Sequence, residues 1–143
     1  MPIRSAEAEW IGTLLEGKGH MKMGASYDGP FTFKSRMENG EGTNPEELLA
    51  MAQSGCFSMA LSAALTKAGF APKRIHTSAG VHFDRGPEGF SITSIDLHTE
   101  AEVPGIDDAK FQEIAEATKK GCPVSRALAA TKINLQAKLV PAA

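Results

Sequence analysis

The sequence predicts an α+β fold of element order βββ-α-ββ-αα-β, and three observations lead there. Period-two hydrophobic alternation marks both ends of the chain. A long charge-free segment with clear caps sits between them. A second helical pattern closes on Lys119-Lys120-Gly121, where cations meet the negative end of the helix dipole. With 143 residues, the chain is expected to form one domain, 1–143, with a substantial core.

In the N-terminal third, Ala6, Ala8, Trp10, Gly12 and Leu14 alternate with Glu7, Glu9, Ile11 and Thr13, which reads as a strand. Gly17-Lys18-Gly19-His20 and Tyr27-Asp28-Gly29-Pro30 offer turns. Phe31 and Phe33 then face one side of a further strand, with Thr32, Lys34 and Arg36 on the other.

The long helix has explicit ends. Asn44 caps it, Pro45 suits the first helical position, and Glu47 stands where a capping box places its acid. Lys67 and Gly69 mark the stop. The helix covers about residues 45 to 68, roughly 36 Å by the usual helical rise. Its surface is apolar or small nearly all round, so it must be covered on most sides. A 143-residue α+β chain has difficulty wrapping such a helix alone. A dimer in which two of these helices cover each other answers that need.

Ile75, Thr77, Ala79, Val81 and Phe83 alternate with His76, Ser78, Gly80 and His82 in the next strand, and Asp84 to Gly89 supply a hairpin loop. The return strand shows Ile95, Leu97, Thr99, Ala101 and Val103 on one face, with Ile92 out of phase, the mark of a bulge. A helix starts near Asp107 or Asp108, and Cys122-Pro123 opens a third, short one. Ile133, Leu135, Ala137 and Leu139 form the last strand before a short tail.

The bulk properties exclude several functions. Fifteen basic and seventeen acidic residues, with no long run of either, give a net charge of −2 and no basic stripe for nucleic acid. The first twenty residues lack the apolar stretch of a secretory signal, so a cytoplasmic, reducing location is expected. A transient catalytic disulfide suits two cysteines there better than a permanent one. No charged residue lies between Glu47 and Lys67, but Gln53, Ser54, Ser58, Ser62 and Thr66 make a buried helix the better reading than a membrane span.

Cys56 stands near the middle of the long helix, where an apolar setting raises a thiol pKa, so a reactive Cys56 needs a nearby cation. Cys122 stands at a helix start, where unpaired amides and the dipole stabilise a thiolate. Arg36 and Glu46 are candidates for the cation and the group that orients it. Glu46 precedes Cys56 by ten residues, about 15 Å along a continuous helix. If the two share a site, one of them comes from a partner subunit. His76 and His82 share a strand face but lie about 20 Å apart, and His20 and His98 fall on other elements, so no metal site is expected. Neither a nucleotide-binding fingerprint nor a serine-hydrolase elbow is present, and no cofactor is expected.

Four segments resemble one family in order and spacing. They are Phe33-Lys34-Ser35-Arg36, then Gly42-Thr43-Asn44-Pro45-Glu46-Glu47-Leu48-Leu49, then Cys56-Phe57-Ser58-Met59-Ala60-Leu61, and finally Cys122-Pro123-Val124-Ser125 with Ala127-Leu128. The chain resembles the OsmC/Ohr family of osmotically inducible and organic hydroperoxide resistance proteins, and the OsmC branch more closely. The resemblance implies an OsmC-like fold, an intertwined homodimer with two long central helices, and active sites at the subunit interface. It implies Cys56 as the peroxidatic cysteine, Cys122 as the resolving cysteine, Arg36 as the activating arginine and Glu46 as its carboxylate partner. The implied activity is a thiol-dependent peroxidase acting on organic hydroperoxides, reset by an external dithiol. A lipoyl-bearing protein is favoured over thioredoxin as that reductant. A non-catalytic stress-related binding protein on the same fold, with a structural cysteine pair, is the alternative. A cysteine acyl-transfer enzyme is disfavoured, because nothing places a histidine base beside Cys56.

Overall fold

The structure, a computed structural model, describes residues 1–141. Of the short tail expected after the last strand, residues 142–143 lie outside the described residues. The chain divides into two compact units, Met1–Leu48 and Leu49–Ala143.

The first unit is an antiparallel meander, β1 (Glu7–Ile11), β2 (Lys18–Met23) and β3 (Tyr27–Phe31), followed by one helical turn, α1 (Phe33–Met37). Both expected turns move. Gly17-Lys18-Gly19-His20 does not turn, because Gly19 pairs with Trp10 on one side and Phe31 on the other. The two rings lie 5.3 Å apart, and a Cβ on Gly19 would collide with both. The reversal falls instead between β1 and β2, where Gly12 has φ of +100°. Tyr27-Asp28-Gly29-Pro30 is likewise strand, and its turn lies at residues 24–26. Pro30 is tolerated because β3 is an edge of this sheet.

The strand expected to carry Phe33 and Arg36 is also corrected. β3 stops at Phe31, and Thr32 caps α1. Ser35 N donates to Thr32 Oγ1 at 3.0 Å, while Thr32 N donates to Ser35 Oγ at 2.8 Å. That reciprocal capping box offers the backbone a helical turn in place of a sheet ladder.

α2 (Pro45–Lys67) begins as read from the sequence, with Glu47 N donating to Asn44 Oδ1 at 2.8 Å. The Glu47 carboxylate accepts from the Thr43 hydroxyl at 2.9 Å, outside the helix, instead of turning back to Asn44. The stop is also as read: Gly69 has φ of +94°, and Phe70 N donates to Leu65 O at 2.9 Å.

In the second unit, β4 (Arg74–Gly86) and β5 (Gly89–Glu102) pair antiparallel, and β6 (Lys132–Val140) lies parallel to β5. The hairpin loop is tighter than expected: the ladder runs on to Gly86↔Gly89 and leaves Pro87-Glu88 to turn. The bulge read from Ile92 is present, as a register shift at His82/Phe83. The β5-to-β6 crossover is made by α3 (Asp108–Gly121) and α4 (Pro123–Ala127).

One face of this sheet meets the helices. Phe57, Leu61 and Leu65 of α2 join Leu97 and Ala101 of β5 and Phe111, Ile114 and Ala115 of α3 in one core. Burying each of the phenylalanine, leucine and isoleucine side chains stabilises the fold by about 1.5–3 kcal/mol. Ser58 of α2 donates to Thr77 at 2.8 Å, and Thr77 meets Thr99 at 3.0 Å, so hydroxyls stitch the helix to the strands. α2 is long and apolar enough to cross a membrane by length and composition, yet it contributes fully buried residues to a protein core. It is a core helix.

Burial of α2 within one chain is limited to a stripe. Gln53, Phe57, Leu61 and Leu65 are fully buried, whereas Met51 and Met59 on the far face are 58% and 77% exposed. The all-round cover expected from the sequence is therefore not supplied by the chain itself.

Candidate active site

The second unit brings the two cysteines together. Cys56 lies mid-way along α2, one position before the buried Phe57, and Cys122 occupies the single position between α3 and α4. Their Sγ atoms are 2.7 Å apart, and both are free thiols. A disulfide between them requires only a small movement. Cys56 is half-buried and Cys122 is buried. An open groove of about 360 Å³ between α2 and α3, walled by Ala60, Ala64 and Ala117, ends at Cys122.

Electrostatics separates the pair. Burial raises the Cys56 thiol, and its neighbour Cys122 adds to the rise, against a lowering influence from the Val124 amide. Burial also works against the Cys122 anion. There, however, hydrogen bonding from Cys56, from the amide and hydroxyl of Ser125 and from the Val124 amide outweighs it, and Cys122 falls below the ordinary thiol value. By geometry either sulfur can hold the shared proton. Cys122 stands at the start of a helix, as read from the sequence. Cys56 within its own chain has the environment of an unactivated thiol.

The first unit brings the other two candidates together. Arg36 Nε lies 3.2 and 3.1 Å from the two Glu46 carboxylate oxygens, and Nη2 donates to Oε1 at 2.6 Å. This is a fork-to-carboxylate contact of the strong, charge-assisted kind. The Glu46 side chain is 10% exposed and that of Arg36 is 39% exposed, so the pair is anchored at the carboxylate. The anchoring is local. Asn44 Nδ2 donates to Ser35 O at 2.9 Å, and Ser35 Oγ donates to Thr43 O at 2.8 Å. These bonds fix α1 against the start of α2, setting Arg36 opposite Glu46.

The family model described as OsmC-like protein matches residues 38–138. The chain belongs to the OsmC family. It is 45% identical over 129 residues to peroxiredoxin OsmC of Escherichia coli, covering 89% of this chain and 90% of that one. The organic hydroperoxide resistance protein of Xanthomonas axonopodis pv. citri is 32% identical over 89 residues, 62% of this chain and 61% of the relative. Among solved structures, the OsmC-like protein of Mycoplasma pneumoniae superposes with a TM-score of 0.75 at 16% identity, covering 97% and 98% of the two chains. The organic hydroperoxide resistance protein OhrB of Bacillus subtilis gives 0.68 at 21%, covering 95% and 98%. The α+β architecture is thus that of the OsmC family.

Sequence reasoning passed over two residues beside the thiols. Gln53 donates to Ser125 at 2.6 Å, next to the cysteine pair. The signal that points to them is spacing: Gln53 stands three residues before Cys56, and Ser125 three after Cys122. Phe57, next to Cys56 in the chain, is fully buried in the core.

Proposed function

We propose that this protein is a two-cysteine thiol peroxidase that reduces organic hydroperoxides to alcohols in oxidative and osmotic stress defence. The observation that carries the reading is the 2.7 Å approach of Cys56 and Cys122. In the first step the Cys56 thiolate attacks the distal peroxide oxygen. The O–O bond breaks, the alkoxide takes a proton and leaves as alcohol, and Cys56 becomes a sulfenic acid. The Cys122 thiolate then attacks the Cys56 sulfur. An S–S bond forms, the S–O bond breaks, and hydroxide leaves to become water. An external dithiol reopens the disulfide by exchange, and a lipoyl-bearing protein is favoured over thioredoxin for that role. A reducing cytoplasm suits this cycle.

Arg36 is the cation this scheme needs, held by Glu46, because Cys56 is pushed above the ordinary thiol value by its own chain. A guanidinium beside the sulfur reverses that shift. Ten residues of helix separate Glu46 from Cys56, about 15 Å of rise, so the Arg36–Glu46 pair of one protomer serves Cys56 of its partner in a homodimer. Support for the dimer comes from the uncovered face of α2. Met51 and Met59 lie exposed there, and Gly55 between them has nothing within 4 Å of the position a Cβ would take. A mid-helix glycine is less stable than alanine by roughly 1 kcal/mol, and no contact among the described residues calls for it. A second helix passing close to Gly55 does.

Peroxide consumption with cumene hydroperoxide and a dithiol, comparing wild type with Cys56→Ser and Cys122→Ser, tests this reading. Loss of all turnover in Cys56→Ser, and a single turnover that stalls at oxidised Cys56 in Cys122→Ser, are expected. Thiols that survive excess peroxide in the wild type point instead to the non-catalytic binding protein.

A further inference from the structure

Two rungs join α2 to the start of α4. Cys56 meets Cys122 at 2.7 Å, and Gln53 Nε2 donates to Ser125 Oγ at 2.6 Å. The offset is three residues on each segment, so the rungs lie about one turn apart. The second rung is shut off from solvent: Gln53 is fully buried, and Ser125 and Cys122 are 4% and 1% exposed. A buried glutamine is uncommon. This one leaves its Oε1 without a partner among the described residues. Its contribution to the site is therefore its N–H donor.

The direction of that bond matters. Because Gln53 supplies the proton, the Ser125 oxygen accepts, and the single Ser125 hydroxyl proton is released toward another acceptor. Cys122 is the N-cap residue immediately before α4, three positions ahead of Ser125. We propose that Gln53 and Ser125 are positioning residues for Cys122, Gln53 turning the Ser125 hydroxyl so that it donates to the Cys122 sulfur and readies it to attack oxidised Cys56. The chemical role rests on the two-cysteine peroxidase reading; the hydrogen-bond relay itself does not. Cys122 makes no side-chain capping bond as a neutral thiol, a weak acceptor. The Ser125 hydroxyl and amide favour its anion. In the resolving step the Cys122 thiolate forms the S–S bond and the sulfenic S–O bond breaks. The departing hydroxide is protonated to water, and the oxidising equivalent is the one the hydroperoxide has already delivered.

The relay is tested in a Cys56→Ala protein, where Cys122 is the sole thiol, by following thiolate ultraviolet absorbance against pH. Ser125→Ala and Gln53→Leu are each expected to raise the Cys122 midpoint by about one pH unit, and Ser125→Thr to restore it. An unchanged midpoint in Ser125→Ala, in protein whose circular dichroism matches the parent, overturns the proposal; an unchanged midpoint in Gln53→Leu overturns the part given to Gln53. With Cys56 present, trapping of the sulfenic acid supplies the second readout. Ser125→Ala is expected to lengthen its lifetime about tenfold near neutral pH, with the difference vanishing at alkaline pH, where Cys122 ionises unaided. Slowing by the same factor at every pH marks a structural defect and contradicts the relay. The titration needs no peroxide turnover, so its failure is distinct from failure of the peroxidase reading.

Discussion

Cys56 and Cys122 stand 66 positions apart in sequence, yet their sulfurs lie 2.7 Å apart where α2 meets the α3–α4 corner. Geometry makes them partners, and their surroundings make them unequal, with Cys122 held below the ordinary thiol value and Cys56 above it.

Arg36→Ala is expected to lower peroxide consumption at neutral pH by about ten- to thousandfold, the range a lost cation takes from a thiolate population. Initial rates with cumene hydroperoxide check this. Arg36→Lys is expected to rescue poorly, since an ammonium cannot reproduce the fork against Glu46.

Glu46→Gln removes the anchor and leaves the cation. Charge-assisted bonds of this type contribute about 1.5–3 kcal/mol, so a loss of about ten- to hundredfold in rate is expected. Added to Arg36→Ala, the same change is expected to do nearly nothing further. A double-mutant cycle on initial rates reads this directly; independent losses would show that the two residues do not act as a unit.

In reduced Arg36→Ala the thiol pair makes stability depend on pH in two senses. The depressed Cys122 contributes stability that is present above the unfolded thiol pKa and lost as pH falls through its folded value. The raised Cys56 contributes stability that is present below the unfolded pKa and lost as pH rises through its folded value. Stability attributable to the pair therefore peaks near the ordinary thiol pKa. Urea midpoints across pH, compared with a protein also carrying Cys56→Ala and Cys122→Ala, are expected to show that maximum and its absence in the comparison.

A Cβ at Gly55 meets nothing within 4 Å among the described residues, so folding is expected to survive Gly55→Leu, while close approach of a second α2 is not. Met59→Asp places a charge on the same exposed face. Sedimentation is expected to give a dimer for wild type and a folded monomer for both variants, with peroxide activity lost alongside association. A fully active monomer would remove the partner's Arg36 from the account.

How much of this was legible in the sequence follows the range of the interactions. Asn44, Pro45 and Gly69 mark the ends of α2 because capping is decided within a few residues. The bulge at Ile92 shows as a break in a local period. The turns near Gly17 and Tyr27 were misplaced because Gly19 is needed for ring packing across three strands, and Pro30 is acceptable at a sheet edge. The α1 turn was hidden because Phe31 and Phe33 mimic strand alternation, while the deciding bonds join Thr32 to Ser35. The cysteines and the Arg36–Glu46 pair were named by motif resemblance. Gln53 was not, since its partner Ser125 lies 72 residues away and only the matching three-residue offsets from Cys56 and Cys122 point to the pair.

Hydroperoxide is expected to link Cys56 to Cys122. The most direct test adds one equivalent of cumene hydroperoxide to the reduced protein, quenches free thiols with an alkylating agent, and maps the peptides by mass spectrometry. A single disulfide-linked pair carrying Cys56 and Cys122 within one chain is expected, with no free thiol remaining. Both cysteines recovered alkylated, or Cys122 oxidised while Cys56 stays reduced, would contradict it.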